Sequence, residues 1–176
     1  MSTQQMLYIV ITIGAIALVY MTIKDLMGKK GKKEEETGNS GPATGNSAAV
    51  LPLQLQAYER LVLLVDRINP QSLISRLYAP EMTVVDMQIS LVHTIKAEFD
   101  HNIAQQIYVS PAAWETVKTL KEQIITLINQ LSAQLPQDAP ARELNVKILE
   151  IFLQAGESPS ELAAQILNAE AKKIMK

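Results

Sequence analysis

The densest group of side chains capable of acid–base or metal chemistry is the run HTIKAEFDH, which carries His93, Glu98, Asp100 and His101. No other histidine is present. On a helix, a spacing of eight residues leaves His93 and His101 about 80° apart around the axis and about 12 Å apart along it. The two imidazoles therefore cannot share one metal ion. The chain has no H-E-x-x-H and no histidine pair at i,i+4. Glu98 and His101, at i and i+3, supply one half of the E-x-x-H arrangement from which helical carboxylate sites are built. The second half is missing. The pair reads first as a surface or interface pair flanking Phe99, and a metal-dependent enzyme built on Glu98 and His101 ranks last among the functions weighed. No cofactor is expected.

Nucleophilic catalysis has no better footing. There is no G-x-S-x-G, no glycine-rich phosphate loop and no Walker lysine. Five of the seven glycines lie between residues 28 and 45, so tight backbone cradles are not expected beyond them. Cysteine is absent, which removes disulfides, thiolate-bound zinc and cysteine nucleophiles. From residue 50 onward, 11 Lys and Arg face 14 Asp and Glu, a net charge of −3. Nucleic-acid-binding domains are usually basic, so nucleic acid is not expected as a partner. Binding chemistry remains. Trp114 stands at the start of a helix and is a core or groove anchor that can also serve a partner. Tyr58, Tyr78 and Tyr108 read primarily as packing residues. Trp114, His101, Glu98 and Tyr108 are the candidate interaction residues.

The elements that must position them are helical. Hydrophobic residues make up 48% of the chain and aromatics only 5%, a balance that favours helices over a sheet. Residues 53–68 place Tyr58, Leu61, Val62, Val65 and Ile68 on one face. Asn69-Pro70 opens a short helix through Leu73, Ile74 and Leu77. A helix from about Glu81 to Gln105 shows Val85, Ile89, Val92, Phe99 and Ile103, with Lys96 as the one polar residue in the stripe. Residues 106–109 read as a connector with buried apolar side chains. Ser110-Pro111 is a helix start, followed by Trp114, Val117, Leu120, Ile124, Leu127, Leu131 and Leu135. After a loop at 136–140, Leu144, Ile148, Ile151, Phe152 and Ala155 face inward up to Gly156. Ser158-Pro159-Ser160-Glu161 has the form of a capping box and opens a last helix showing Leu162, Ile166 and Ala169. The expected fold is all-α, with a bundle of about five to six helices over residues 51–176. Residues 114–135 contain heptad-like stretches too short to demand a coiled coil, so homo-oligomerisation stays open.

Residues 6–23 are 18 uncharged residues, running from Met6 and Tyr8 through Gly14 to Tyr20 and Ile23. As a helix they span about 27 Å, close to the roughly 30 Å of a bilayer core. The preceding MSTQQ lacks the basic residues of a signal peptide, and no small-x-small cleavage site follows. Residues 1–27 therefore read as a transmembrane anchor with its flanks, and the lipid bilayer is an expected partner. Gly14 meets Leu18 four residues on, so no small-residue dimerisation motif is present. Lys24, Lys29, Lys30, Lys32 and Lys33 follow the segment and no basic side chain precedes it. By the positive-inside rule the N-terminus faces outward from the cell (inner) membrane and the C-terminal domain is cytoplasmic. Residues 28–50 are rich in Gly, Ser, Asn and charge and read as a flexible linker. Its reach is on the order of 26 Å.

Two stretches, LQAYERLVLLVDRINPQSLISRL (55–77) and EFDHNIAQQIYVSPAAWETVK (98–118), carry a resemblance. The chain resembles an uncharacterised family of small single-pass membrane proteins with a helical domain from Bacteroidota. The likeness covers most of residues 51–135. It implies a bacterial envelope setting and carries no functional residues over. The leading functional expectation is a membrane-tethered interaction or scaffold domain with an unidentified protein partner and no catalysis. The alternative is a helical bundle that encloses a small molecule or lipid.

Overall fold

The computed structural model describes residues 44–154 and 158–176. The expectations placed on Met6, Tyr8, Gly14, Tyr20, Ile23, Lys24, Lys29, Lys30, Lys32 and Lys33, and those on Ala155 and Gly156, lie outside the described residues. The unit from residue 43 onward is all-α among its described residues, with six α-helices and no strand. Among these residues, no helix is long and apolar enough to cross a membrane.

The first helix, α1 (Thr44–Arg67), begins inside the stretch read as linker and passes through Pro52. Its buried positions start only at Ala57 and continue through Tyr58, Leu61, Leu64 and Val65. Apolar periodicity therefore marks where the helix packs, whereas residues 49–56 stay exposed or half-buried and rest on local propensity. Arg76 donates from Nη2 to the carbonyl of Arg67 at 2.6 Å and so satisfies the last turn of α1. Helix α2 (Pro70–Leu77) starts as expected: Asn69 Oδ1 accepts from Gln71 N at 3.0 Å, and Pro70 occupies the first turn.

Helix α3 (Val84–His101) starts three residues later than the sequence predicts, at a capping box not anticipated there. Thr83 Oγ1 accepts from Asp86 N at 3.3 Å, and Asp86 Oδ2 accepts from Thr83 N at 3.0 Å. The Thr83 hydroxyl, which donates to Asp86 Oδ2 at 2.6 Å, and then the Thr83 backbone N–H hold the Asp86 carboxyl below its ordinary 3.8. The distant loop at residues 136–140 finishes the cap, because Ala139 O accepts from Val84 N at 2.8 Å and Gln137 O from Val85 N at 3.3 Å.

The buried stripe of α3 is Val84, Met87, Leu91, Ile95 and Phe99. The expected stripe is corrected by about one residue: Val85 and Val92 are half-buried, Ile103 has left the helix, and Ile89 is 61% exposed. Both phases are largely apolar, and packing against the neighbouring helices fixes the one that is buried. The observed phase contains no charged residue, whereas the expected one contained Lys96.

A 3-10 turn (Ile103–Ile107) leads to α4 (Pro111–Ser132), which starts at the predicted Ser110-Pro111 and buries Val117, Leu120, Ile124, Ile128 and Leu131. Helix α5 (Ala141–Gln154) buries Leu144, Ile148 and Phe152. Helix α6 (Pro159–Ile174) buries Ser160, Ala163 and Leu167, so its predicted Leu162, Ile166 and Ala169 stripe is also shifted. The expected capping box at its start is not formed. Ser158 makes no side-chain capping bond, and its hydroxyl is buried without a partner.

In three dimensions α4 lies between α3, α5 and α6, while α6 packs most extensively on α1. The two ends of the unit are thus brought together. Short α2 covers α3 and α5. One continuous core results, with Leu61, Leu64, Leu73, Met87, Leu91, Ile124, Ile128, Leu144 and Leu167 almost fully removed from water.

Candidate interaction surface

All four candidate residues of the sequence lie on or beside the corner where α3 turns into α4. The corner is built by the last turn of α3. Asn102, only 5% exposed, donates from Nδ2 to Glu98 O at 2.8 Å and accepts at Oδ1 from Arg60 Nε at 3.3 Å. It caps the helix and ties it to α1 in one step. Seven residues along α1, Arg67 Nη1 reaches Glu98 Oε2 at 3.3 Å. The Arg67 side chain is 56% exposed, so this ion pair contributes orientation more than stability.

Ahead of Asn102 the apolar side chains Ile95 and Phe99 are buried, and beyond it those of the 3-10 turn are not. Ile103 is 48% exposed, Ile107 74% and Tyr108 37%. The expectation of a connector with buried side chains is thereby corrected: only Val109 packs partly against the core. In a 3-10 turn, side chains repeat every three residues, so Ile103 and Ile107 do not follow the face that buries Ile95 and Phe99. Leu63, another large exposed apolar residue, sits on α1 between Arg60 and Arg67.

Trp114 is half-buried, and its ring lies 5.1 Å from that of Phe99 at an interplanar angle of 33°. Lys121 Nζ stands 4.2 Å over the centre of the Phe99 ring. Trp114 is therefore a packing residue that joins α4 to α3 and presents only part of its surface. His101 is exposed at the end of α3, and His93 is exposed two turns earlier. Glu98 turns to Arg67. Among the described residues no group of three His, Asp or Glu side chains is placed to hold a metal ion.

A polar tie secures the corner on the α4 side. Ser110 Oγ accepts from Ala113 N at 3.1 Å as the N-cap of α4 and donates to Glu170 Oε2 of α6 at 2.8 Å. Ser110 N donates to the buried Tyr58 hydroxyl at 3.1 Å, which joins α1 to the same point. Glu170 also accepts from Lys173 at 2.8 Å, and this contact raises the Lys173 ammonium above its ordinary 10.5. The corner is thus a rigid platform with aliphatic side chains on its outer surface. Sequence reasoning missed Arg60, Arg67, Asn102 and the exposure of Ile103 and Ile107. Asn directly after a helix is a recognised stop signal, but IAQQI continues the apolar period and hides the change of face.

Among its described residues the domain is a small α-helical module with an exposed apolar corner between α3 and α4. The chain belongs to a family of unknown function, DUF7935, whose model matches residues 1–174. The match reaches both beyond and before the 51–135 over which the family resemblance is read. No curated protein and no solved structure shows significant similarity to the chain.

Proposed function

We propose that this protein is a membrane-tethered helical module that acts by binding rather than by catalysis, with the α3–α4 corner as its contact surface. The observation that carries this reading is the corner itself. Ile107 is 74% exposed on a turn whose flanks are fixed by Asn102, Arg60, Ser110 and Tyr58. Rigid exposed aliphatic side chains gain free energy when covered and lose little entropy in the process. The tether is read from the sequence alone: 18 uncharged residues of bilayer length followed by five lysines are what supports an anchor with the module on the cytoplasmic side of the cell membrane. Tethering raises the local concentration of a weak contact surface.

The test uses the full chain expressed in cells beside a variant lacking residues 1–27. The reading predicts that the full chain stays with membranes after alkaline extraction and that the variant does not. It further predicts that crosslinked species formed by the full chain are lost in Ile107→Asp. A full chain recovered in the soluble fraction, or crosslinks indifferent to Ile107→Asp, overturns it.

A further inference from the structure

We propose that α6 is a detachable element, which opens as a unit from α1 and α4 while the five helices ahead of it stay folded. The proposal is independent of the tether and of whatever meets the corner.

Three observations carry it. The first is how little α6 buries. Among the described residues its buried positions are Ser160, Ala163 and Leu167, of which Leu167 alone is a large apolar side chain. Ala164, Ala171 and Ile174 add partial cover. Each of the other five helices buries at least two large apolar side chains, and α3 and α4 bury more than four each. Removal of apolar surface from water is the main attraction between helices, so the helix that buries least separates most readily. The second is a cost at its first turn. The Ser158 and Ser160 hydroxyls are buried without a partner, and the capping box is not formed. Hydroxyls shut away from water in this way oppose docking, and opening α6 returns both to solvent. The third is what opening leaves behind. Ser110 Oγ gives up Glu170 but still accepts from Ala113 N, so α4 keeps its N-cap. Ser110 N still donates to the Tyr58 hydroxyl, so α1 stays joined to the start of α4. Helices α3, α4 and α5 pack on one another without α6. Glu170 and Lys173 pair within α6 and travel with it. The module thus has a closed state and an open one, and the open one brings water to the junction of Tyr58 and Ser110.

The test is hydrogen exchange of the full chain in mild detergent, read by mass spectrometry at rising sub-denaturing urea. The expected result is that residues 163–173 share one protection factor, at least about tenfold lower than that of residues 117–131, with the weaker urea dependence of a small opening. Ser160→Ala removes a buried unpartnered hydroxyl and should slow exchange of residues 163–173 several-fold while leaving 117–131 unchanged. Equal protection and equal urea dependence in the two segments show that α6 opens only with the whole bundle, and overturn the proposal. Protection that falls steadily towards residue 176, with residues 163–167 as protected as 117–131, is fraying of a chain end and overturns it as well. A Ser160→Ala chain in which residues 163–173 are not slowed, or are slowed only in step with 117–131, overturns it too.

Discussion

Ser110→Ala offers the sharpest test of how the corner is held. The hydroxyl does two things at once: it caps α4 through Ala113 N at 3.1 Å and donates to the Glu170 carboxylate at 2.8 Å. Loss of a serine N-cap costs about 1 kcal/mol. Hydrogen bonds to charged groups contribute about 1.5–3 kcal/mol when well protected, and the half-buried setting here argues for about 1 kcal/mol. The bond from Ser110 N to Tyr58 is a backbone bond and survives the substitution. The expected loss is therefore about 2 kcal/mol, or on the order of 6 °C in Tm for a chain of this size. The assay is denaturation of the full chain in mild detergent followed by far-UV circular dichroism. Ser75→Ala is the comparison, because Ser75 Oγ bonds only the local carbonyl of Ser72 on an exposed face, and it should stay within about 0.5 kcal/mol of the parent. Ser110→Asp separates the two contributions. It keeps a capping acceptor but sets a carboxylate against Glu170, so it should remain destabilised at neutral pH. A Ser110→Ala loss no larger than that of Ser75→Ala would show that the tie to α6 contributes nothing.

The two phases of α3 make opposite predictions. Leu91→Ala should cost about 3 kcal/mol and Ile89→Ala less than about 0.5 kcal/mol in the same denaturation assay, and the reverse order would restore the stripe read from sequence. Asn145 is 6% exposed and its Oδ1 has no partner, so Asn145→Leu should raise stability by about 1 kcal/mol. The lowered pKa of Asp86 means that its stabilisation is complete above 3.8 and disappears as pH falls through the folded value. Asp86→Ala should therefore narrow its gap to the parent on acidification below 3.8, as read by Tm against pH. The raised pKa of Lys173 acts at the other limit: its contribution is present up to 10.5 and is lost as pH rises through the folded value, so Lys173→Met should differ from the parent only below that range.

The parts of this fold that were readable from sequence share a local cause. Asn69-Pro70 and Ser110-Pro111 define helix starts within three residues of chain, because the cap, the missing proline donor and the fixed φ all act locally. The stripe of α4 follows from its start, and Val117, Leu120, Ile124 and Leu131 are buried as their spacing implies. Where partners decide, spacing alone fails. Helix α6 turns Ala163 and Leu167 inward rather than Leu162 and Ile166, on a face set by its packing against α1 and α4. Ser158-Pro159-Ser160-Glu161 satisfies the capping pattern, yet Glu161 is exposed and no reciprocal bond forms. Thr83-x-x-Asp86 satisfies a weaker version of the same pattern and does form it, helped by a loop more than 50 residues away. The corner lies furthest from local reading. Arg60 and Asn102 are 42 positions apart, and the exposure of Ile107 is a statement about which element fails to cover it. Apolar spacing states which residues favour burial. Only the assembled bundle shows which of them remain uncovered, as Ile107 does at the end of the 3-10 turn.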